Sequence, residues 1–469
     1  MKPIKLLAIL GAISMMFSAC TESSDGSADY SSLFPGVSID DDYEAELYLN
    51  YGYLDLYYLY GHMRNELADD YRVYLHKGTS ADARTKGYCS ADYYDVCYMY
   101  NQLADPFTRY FDYIVAQQIY SSIMETESIT GIGAEVEEVQ DSTSKYLRIS
   151  DIYPSSPAEK AGLQIGDIIV QVAGLNITSA ANFETMCTGN KDEIINIVVS
   201  RNAEQVAVNV KIAEYNSPSV KLTYQDSIPV IQIKEFVVTS ISDSGSYGEF
   251  VSALKKTEGA TSTIIDLRGN PGGETQQCAN MAAELLAAGD TVVIDIEADI
   301  DSIRKGRYWD YFQVFDTIIT TAENDGIGNG RYYVFMADTG SASCAETMLS
   351  SLTANRKVPV VGQLTYGKGI GQWVVETEIG KGLALITGLQ GFDKNWDSYH
   401  DLGIVPDFEI DDPDEQMAKA VELAKEASYV RTAGYGTKKL NHFSKEREYE
   451  SSGRIPTLKD LKSRYKIKK

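Results

Sequence analysis

The sequence predicts a multidomain α/β protein: a helical N-terminal segment, a β-rich module carrying two helices, and an α/β domain after it. Three observations carry the prediction. Short apolar or β-branched runs at Val230–Ile233, Ser262–Leu267, Tyr333–Met336 and Val358–Gly362 alternate with Ala/Leu-rich stretches at helical spacing. Between Gly131 and Ile212 the pattern is instead one of short strands and turns. Near the N-terminus Leu47, Tyr51, Leu54 and Tyr58 recur at helical spacing in a Tyr-rich stretch.

A length of 469 residues is enough for two or three domains. The chain carries 67 acidic and 42 basic residues, net −25, with no basic stripe, which argues against a nucleic-acid partner. At the start, Lys2 and Lys5 precede the apolar run Leu6–Met16 and then Phe17-Ser18-Ala19-Cys20. This reads as a signal peptide over 1–19, its apolar run too short to remain as a membrane span. Small residues before a cysteine resemble a bacterial lipobox. Cys20 is therefore expected to be the lipidated first residue of a mature chain anchored in the cell envelope, periplasmic or surface-facing. Residues 20–40 read as a flexible tether.

Export implies an oxidising compartment. With Cys20 used by lipid, Cys89, Cys97, Cys187, Cys278 and Cys344 remain, an odd number. Cys89 and Cys97 are the nearest pair and the one disulfide the sequence suggests. No Cys-x-x-Cys occurs, and His62, His76, His400 and His442 are scattered, so neither a metal nor a cofactor is expected. Residues 41–118 read as a helical cap with an aromatic core. A dimerisation surface is the other use of so much tyrosine, which leaves a homo-oligomer open. The basic tail, 427–469, reads as a solvated extension.

In the β-rich module, Gly131-Ile132-Gly133 enters an alternating strand, and Leu147, Ile149 and Ile152 mark a second. Ser156-Pro157 opens a short helix and Gly162 closes it, before Ile168-Ile169.

The chemistry is written in the α/β domain, around Asp338–Leu352. The strand Tyr333–Met336 reaches a turn at Thr339-Gly340, and Ala342, Ala345, Leu349 and Leu352 then recur at helical spacing. Serine thus stands where a strand becomes a helix, whose unpaired N–H groups and dipole suit a developing oxyanion. Upstream, a strand ends in Arg268-Gly269-Asn270-Pro271-Gly272-Gly273, whose glycines let backbone approach a ligand closely. Downstream comes Tyr366-Gly367-Lys368-Gly369-Ile370-Gly371-Gln372, a lysine fenced by glycines.

These three segments, in this order, resemble the carboxyl-terminal processing proteases, also called tail-specific proteases. The resemblance covers roughly 105–407. It implies an α/β catalytic domain of crotonase-like ββα type over 219–426 and a PDZ domain over 122–214. The run Ser156–Leu163 is similar to that domain, and Asp105-Pro106-Phe107-Thr108-Arg109-Tyr110 to the segment preceding it; the resemblance makes Asn182-Phe183 onward the domain's second helix and Ile194–Val199 and Val206–Ile212 its last strands. The family's motifs select Ser343 as nucleophile, with Glu346 following, Lys368 as base, and Gln372 to hold the amine. Oxyanion donors would be the Cys344 N–H and one from Gly272 or Gly273. Cys344 departs from the small residue usual there. A lysine serves as base only when neutral, which desolvation favours. The Gly131-Ile132-Gly133 loop would cradle a substrate's terminal carboxylate while the peptide adds as a strand. The resemblance implies a serine endopeptidase cutting unstructured or C-terminal segments of exported proteins. Its partners would be peptides with free C-termini. The alternatives are a non-catalytic PDZ scaffold and, within the enzyme reading, a latent form released through the PDZ domain.

Overall fold

The computed structural model describes residue 39 and residues 41–60, 67–68, 70–140, 145–298, 315–356, 358–377 and 379–430. The signal sequence, Cys20, and the tail beyond 430 lie outside them. No helix among the described residues is long and apolar enough to cross a membrane. The chain divides into two compact units, 1–121 with 294–319 and 369–392, and 122–293 with 320–368 and 393–469.

In the first unit, helix Asp42–Tyr57 starts on Asp41, whose carboxylate accepts the Glu44 N–H at 2.8 Å. Its Glu46 is fully buried and accepts from Tyr110 Oη at 2.7 Å, Gly380 N at 2.9 Å and Asn50 Nδ2 at 3.1 Å. Tyr100 Oη completes the network on Asn50 Oδ1 at 3.0 Å. Tyr110, Asn50 and Gly380 thus supply the donors that a buried carboxylate needs, and Tyr100 steadies Asn50. A six-stranded sheet includes Gly87–Tyr88, Arg109–Phe111, Ile370–Glu376 and Leu383–Phe392. Strand Arg109–Phe111 pairs antiparallel with 383–385, so the Tyr-rich segment shares a sheet with a strand far later in the chain. Cys89 and Cys97 are disulfide-bonded.

The second unit holds the β-rich module and a six-stranded sheet. The module's five antiparallel strands run in order 134–140, 145–152, 168–172, 194–201 and 204–211. Ile149, Phe183, Ile197, Val199 and Val210 fill its core. Helix Pro157–Ala161 starts with Ser156 accepting from Glu159 N and ends at Gly162 in the left-handed conformation. Helix Ala180–Cys187 follows, its Ala180 N donating to Glu138 of the edge strand at 3.0 Å.

The six-stranded sheet runs Val220–Gln225, Ile228–Ile233, Ser262–Asp266, Tyr332–Ala337, Val360–Gly362 and Phe408–Glu409. The first pair is antiparallel and the others are parallel. Alternate residues serve opposite faces. Ile231, Ile265, Phe335 and Val360 pack with helices Gly245–Lys256, Thr275–Ala283 and Cys344–Arg356. Val230, Ile264, Val334, Met336 and Val361 pack with Ala420, Val421 and Ala424 of helix Pro413–Val430. Cover on both faces explains why the central strands read as short apolar or β-branched runs. Three neighbouring parallel strands, 262–266, 332–337 and 360–362, release their carboxyl ends side by side. The loops that leave them carry Gly272-Gly273, Ser343 and Lys368. Sheets of this kind place ligands at the carboxyl ends of their strands.

Candidate active site

Ser343 lies immediately before helix Cys344–Arg356 with φ of 55°, in the left-handed region that a serine rarely occupies. Such backbone persists only where the surroundings hold it. Ser341, two residues earlier, is buried and its hydroxyl is structural: Oγ donates to Leu267 O at 2.8 Å and accepts from Asp338 N at 2.9 Å. Asp338 Oδ1 also accepts from Gly269 N and Gly340 N, both at 2.9 Å, which ties the glycine turn to the serine turn.

The glycine turn passes against Ser343. A Cβ on Gly272 would fall 2.7 Å from Ser343 Cβ and 3.1 Å from Cys344 N, and one on Gly273 would fall 2.0 Å from Phe236 O. Their φ values of 104° and 144° also exclude other residues without strain. Buried Asn270 organises the turn: Nδ2 donates to Ile233 O at 2.9 Å, and Oδ1 accepts from Gly272 N at 2.8 Å. The Gly272 N–H is therefore engaged. Among the described residues the N–H groups of Gly273 and Cys344 meet no acceptor. Phe236 holds the turn's other side, its N–H donating to Gly272 O at 3.0 Å and its carbonyl accepting from Glu274 N at 2.7 Å. The same segment continues to Thr239, whose carbonyl accepts from Thr126 N at 2.9 Å at the entrance to the β-rich module.

Glu346 binds the serine and lysine loops together. It is fully buried on the first turn of the helix. Oε2 accepts from Ser343 N at 3.0 Å and Lys368 N at 2.8 Å; Oε1 accepts from Gly367 N at 2.7 Å and Thr365 Oγ1 at 2.5 Å. The backbones of Ser343 and Lys368 thus meet on one carboxylate oxygen. Burial pushes the Glu346 carboxyl up to about 7, while the four donors pull against that rise. Tyr366 N, donating to Ser341 O at 3.0 Å, makes a second tie. Ile404 N donates to Thr365 Oγ1 at 2.7 Å, so the Gly403–Asp407 segment buttresses the lysine loop. Lys368 itself is half-buried.

Gln372 lies on strand Ile370–Glu376 of the first unit, and its Nε2 donates to Phe107 O at 2.8 Å. Cys344 is disulfide-bonded to Cys278, a pairing the sequence did not suggest, and this removes it as a nucleophile. Cys187 remains a buried thiol. His400 places Nε2 at 3.8 Å from Asp401. Among the described residues no acidic, His or Cys cluster could hold a metal.

In the β-rich module, Ile132 is buried and its carbonyl accepts from Ala158 N at 2.7 Å, while Gly133 O accepts from Tyr153 N at 2.9 Å. The Tyr215 ring packs beside Gly133, and burial pushes its phenol up. Strand 134–140 is the outermost of its sheet.

A strained serine at a helix start, unpaired backbone donors beside it and a lysine loop tied to it define a serine-hydrolase type of site. Residues 227–410 match peptidase family S41, and residues 148–201 match a PDZ domain. The chain thus carries a peptidase family S41 domain and a PDZ domain. It is 25% identical over 356 residues to the probable CtpA-like serine protease of Staphylococcus haemolyticus strain JCSC1435, covering 73% of this chain and 66% of that one. It is 26% identical over 331 residues to a Staphylococcus aureus (strain COL) protein of the same description, covering 70% and 61%. The chain thus spans just under two thirds of these relatives. The photosystem II D1 C-terminal processing protease superposes with a TM-score of 0.45 at 19% identity, over 82% of this chain and 98% of that one.

Proposed function

We propose that the protein is a serine endopeptidase that cleaves unstructured or C-terminal segments of exported proteins by a Ser343–Lys368 dyad. The observation that carries this reading is Glu346, which fixes both loops through Ser343 N and Lys368 N. Ser343 Oγ adds to the scissile carbonyl as the neutral Lys368 amine takes its proton, and the resulting ammonium then protonates the leaving amine. The oxyanion is held by Gly273 N–H and Cys344 N–H. Water then releases the acyl group by the same proton path. Gln372 keeps the amine-orienting role that the motif implies. The PDZ domain captures substrate C-termini at the edge strand 134–140. Cys20, lipidated, anchors the enzyme in the cell envelope. The test is incubation of the chain from Ser32 onward with an unstructured protein, beside its Ser343→Ala form. Cleavage by the first alone supports the reading; equal results from both contradict it.

A further inference from the structure

We propose that Cys278 is a positioning residue for the oxyanion site and that its disulfide to Cys344 makes cleavage redox-sensitive. The proposal rests on the Ser343–Lys368 reading. The bond joins the beginnings of two helices. Helix Thr275–Ala283 starts directly after Gly273-Glu274, and Cys278 is in its first turn. Helix Cys344–Arg356 starts directly after Ser343, with Cys344 as its first residue. The two backbone donors proposed for the oxyanion, Gly273 N–H and Cys344 N–H, therefore sit on the two segments that the bond staples. One of them belongs to a bonded cysteine itself.

Hydrogen bonds tie these segments upstream of the two donors, among them Ser341 Oγ to Leu267 O at 2.8 Å. Ala342 N donates to Asn270 O at 2.9 Å, and Asp338 receives Gly269 N at 2.9 Å. The glycines bring flexibility, and the bond spans 66 residues of sequence to restrain it. Both sulfurs are buried against the sheet's core, with Cys278 and Cys344 only 1% and 2% exposed. The reduced state also has a home there. Glu274 O lies 3.4 Å from Cys344 Sγ and Thr275 O lies 3.2 Å from Cys278 Sγ, so each thiol, once formed, has an acceptor. Reduction thus leaves two satisfied thiols and a loosened pair of donors.

The step balances with a dithiol as reductant. The Cys278–Cys344 S–S bond takes two electrons and two protons and becomes two thiols, while the dithiol loses them and closes its own disulfide. An oxyanion donor acts only when held where charge develops, and a displacement of about 1 Å can cost on the order of 100-fold. The expected loss is therefore in kcat, not in KM.

The experiment compares cleavage by the intact chain before and after dithiothreitol. Alkylation and mass spectrometry report whether Cys278 and Cys344 are free. Circular dichroism follows the fold. A Cys89→Ser/Cys97→Ser form removes the other disulfide. The expected result is a fall in kcat of about tenfold or more, with KM unchanged, recovered on reoxidation and retained by the Cys89/Cys97 variant. Cys278→Ala should show the same low kcat and no response to dithiothreitol. If that variant does not fold, reduction of the wild-type chain decides alone. An unchanged kcat with both thiols labelled overturns the proposal. So does a loss that only tracks the unfolded fraction. Oxidised protein lacking Ser343-dependent cleavage overturns the dyad and this proposal with it. Oxidised protein that cleaves and ignores reduction overturns this proposal alone.

Discussion

Replacing Glu346 by Gln removes one acceptor from the point where the serine and lysine loops meet. Four donors now share two carboxylate oxygens: Ser343 N, Lys368 N, Gly367 N and Thr365 Oγ1. An amide oxygen can keep two of them, but its NH2 faces the other two as a competing donor. Thr365 Oγ1 already accepts from Ile404 N, so turning its hydroxyl gives little relief. Each orphaned buried donor costs about 1–3 kcal/mol, so the variant should lose roughly 2–6 kcal/mol of stability. Displacement of Ser343 and Lys368 should lower kcat by about 100-fold. The pH dependence separates this carboxylate from other causes. Burial raises Glu346 from 4.5 to about 7. The folded state therefore holds the proton more tightly than the unfolded one. The stability from this group is fully present below about 4.5 and is lost as pH rises through 7. Activity runs the other way, because only the ionised group accepts all four donors. Wild type should thus gain kcat and lose Tm across this window, and Glu346→Gln should lack both steps. Chemical denaturation and cleavage assays from pH 5 to 8 test this. A Gln variant with wild-type kcat and the same pH step would refute the reasoning.

Gly273→Ala should unseat the oxyanion turn, because its Cβ would fall 2.0 Å from Phe236 O; a loss of about 100-fold in kcat is expected, and wild-type rates would contradict it. Amidating a substrate's C-terminus should weaken its binding to the PDZ domain by about tenfold, because the carboxylate's charge-assisted hydrogen bonds are lost. Titration calorimetry reads this, and indifference to amidation would end the carboxylate-capture reading. Cys20→Ala should release the protein from the membrane fraction, and an unmodified Cys20 in the mature chain by mass spectrometry would defeat lipid anchoring.

The strands of the second unit were legible because their signals are local. Ile264-Ile265 and Tyr333–Met336, covered on both faces, had to be bulky and apolar. Ser156, Pro157 and Gly162 announced a short capped helix. The Glu346 clamp was half-legible: a serine followed three residues later by glutamate is a capping-box spacing, but the reach to Thr365, Gly367 and Lys368 exists only in the folded chain. The choice between the two glycines turned on Asn270, whose side chain takes the Gly272 N–H; asparagine two residues before a glycine is a turn signal that points to this bond. Cys278 and Cys344 lie 66 residues apart, and nothing local pairs them. Only adjacent strands, each feeding a helix, bring them together. In the Tyr-rich segment the 3.6-residue pattern located helix Asp42–Tyr57, yet it said nothing of buried Glu46, whose partners come from Asn50, Tyr110 and Gly380.

The central claim is that Ser343 and Lys368 act as one unit. The direct measurement is kcat/KM for one unstructured substrate with Ser343→Ala, Lys368→Ala and the double variant, each shown to be folded and to bind substrate tails. Both single variants should lose cleavage about equally, and the double variant should be no worse than either, since groups that act together are not additive. Lys368→Arg should not restore the rate, because a guanidinium stays protonated and cannot accept the serine's proton. Full activity in a folded Lys368→Ala protein would contradict the dyad and turn attention to His400 as the base.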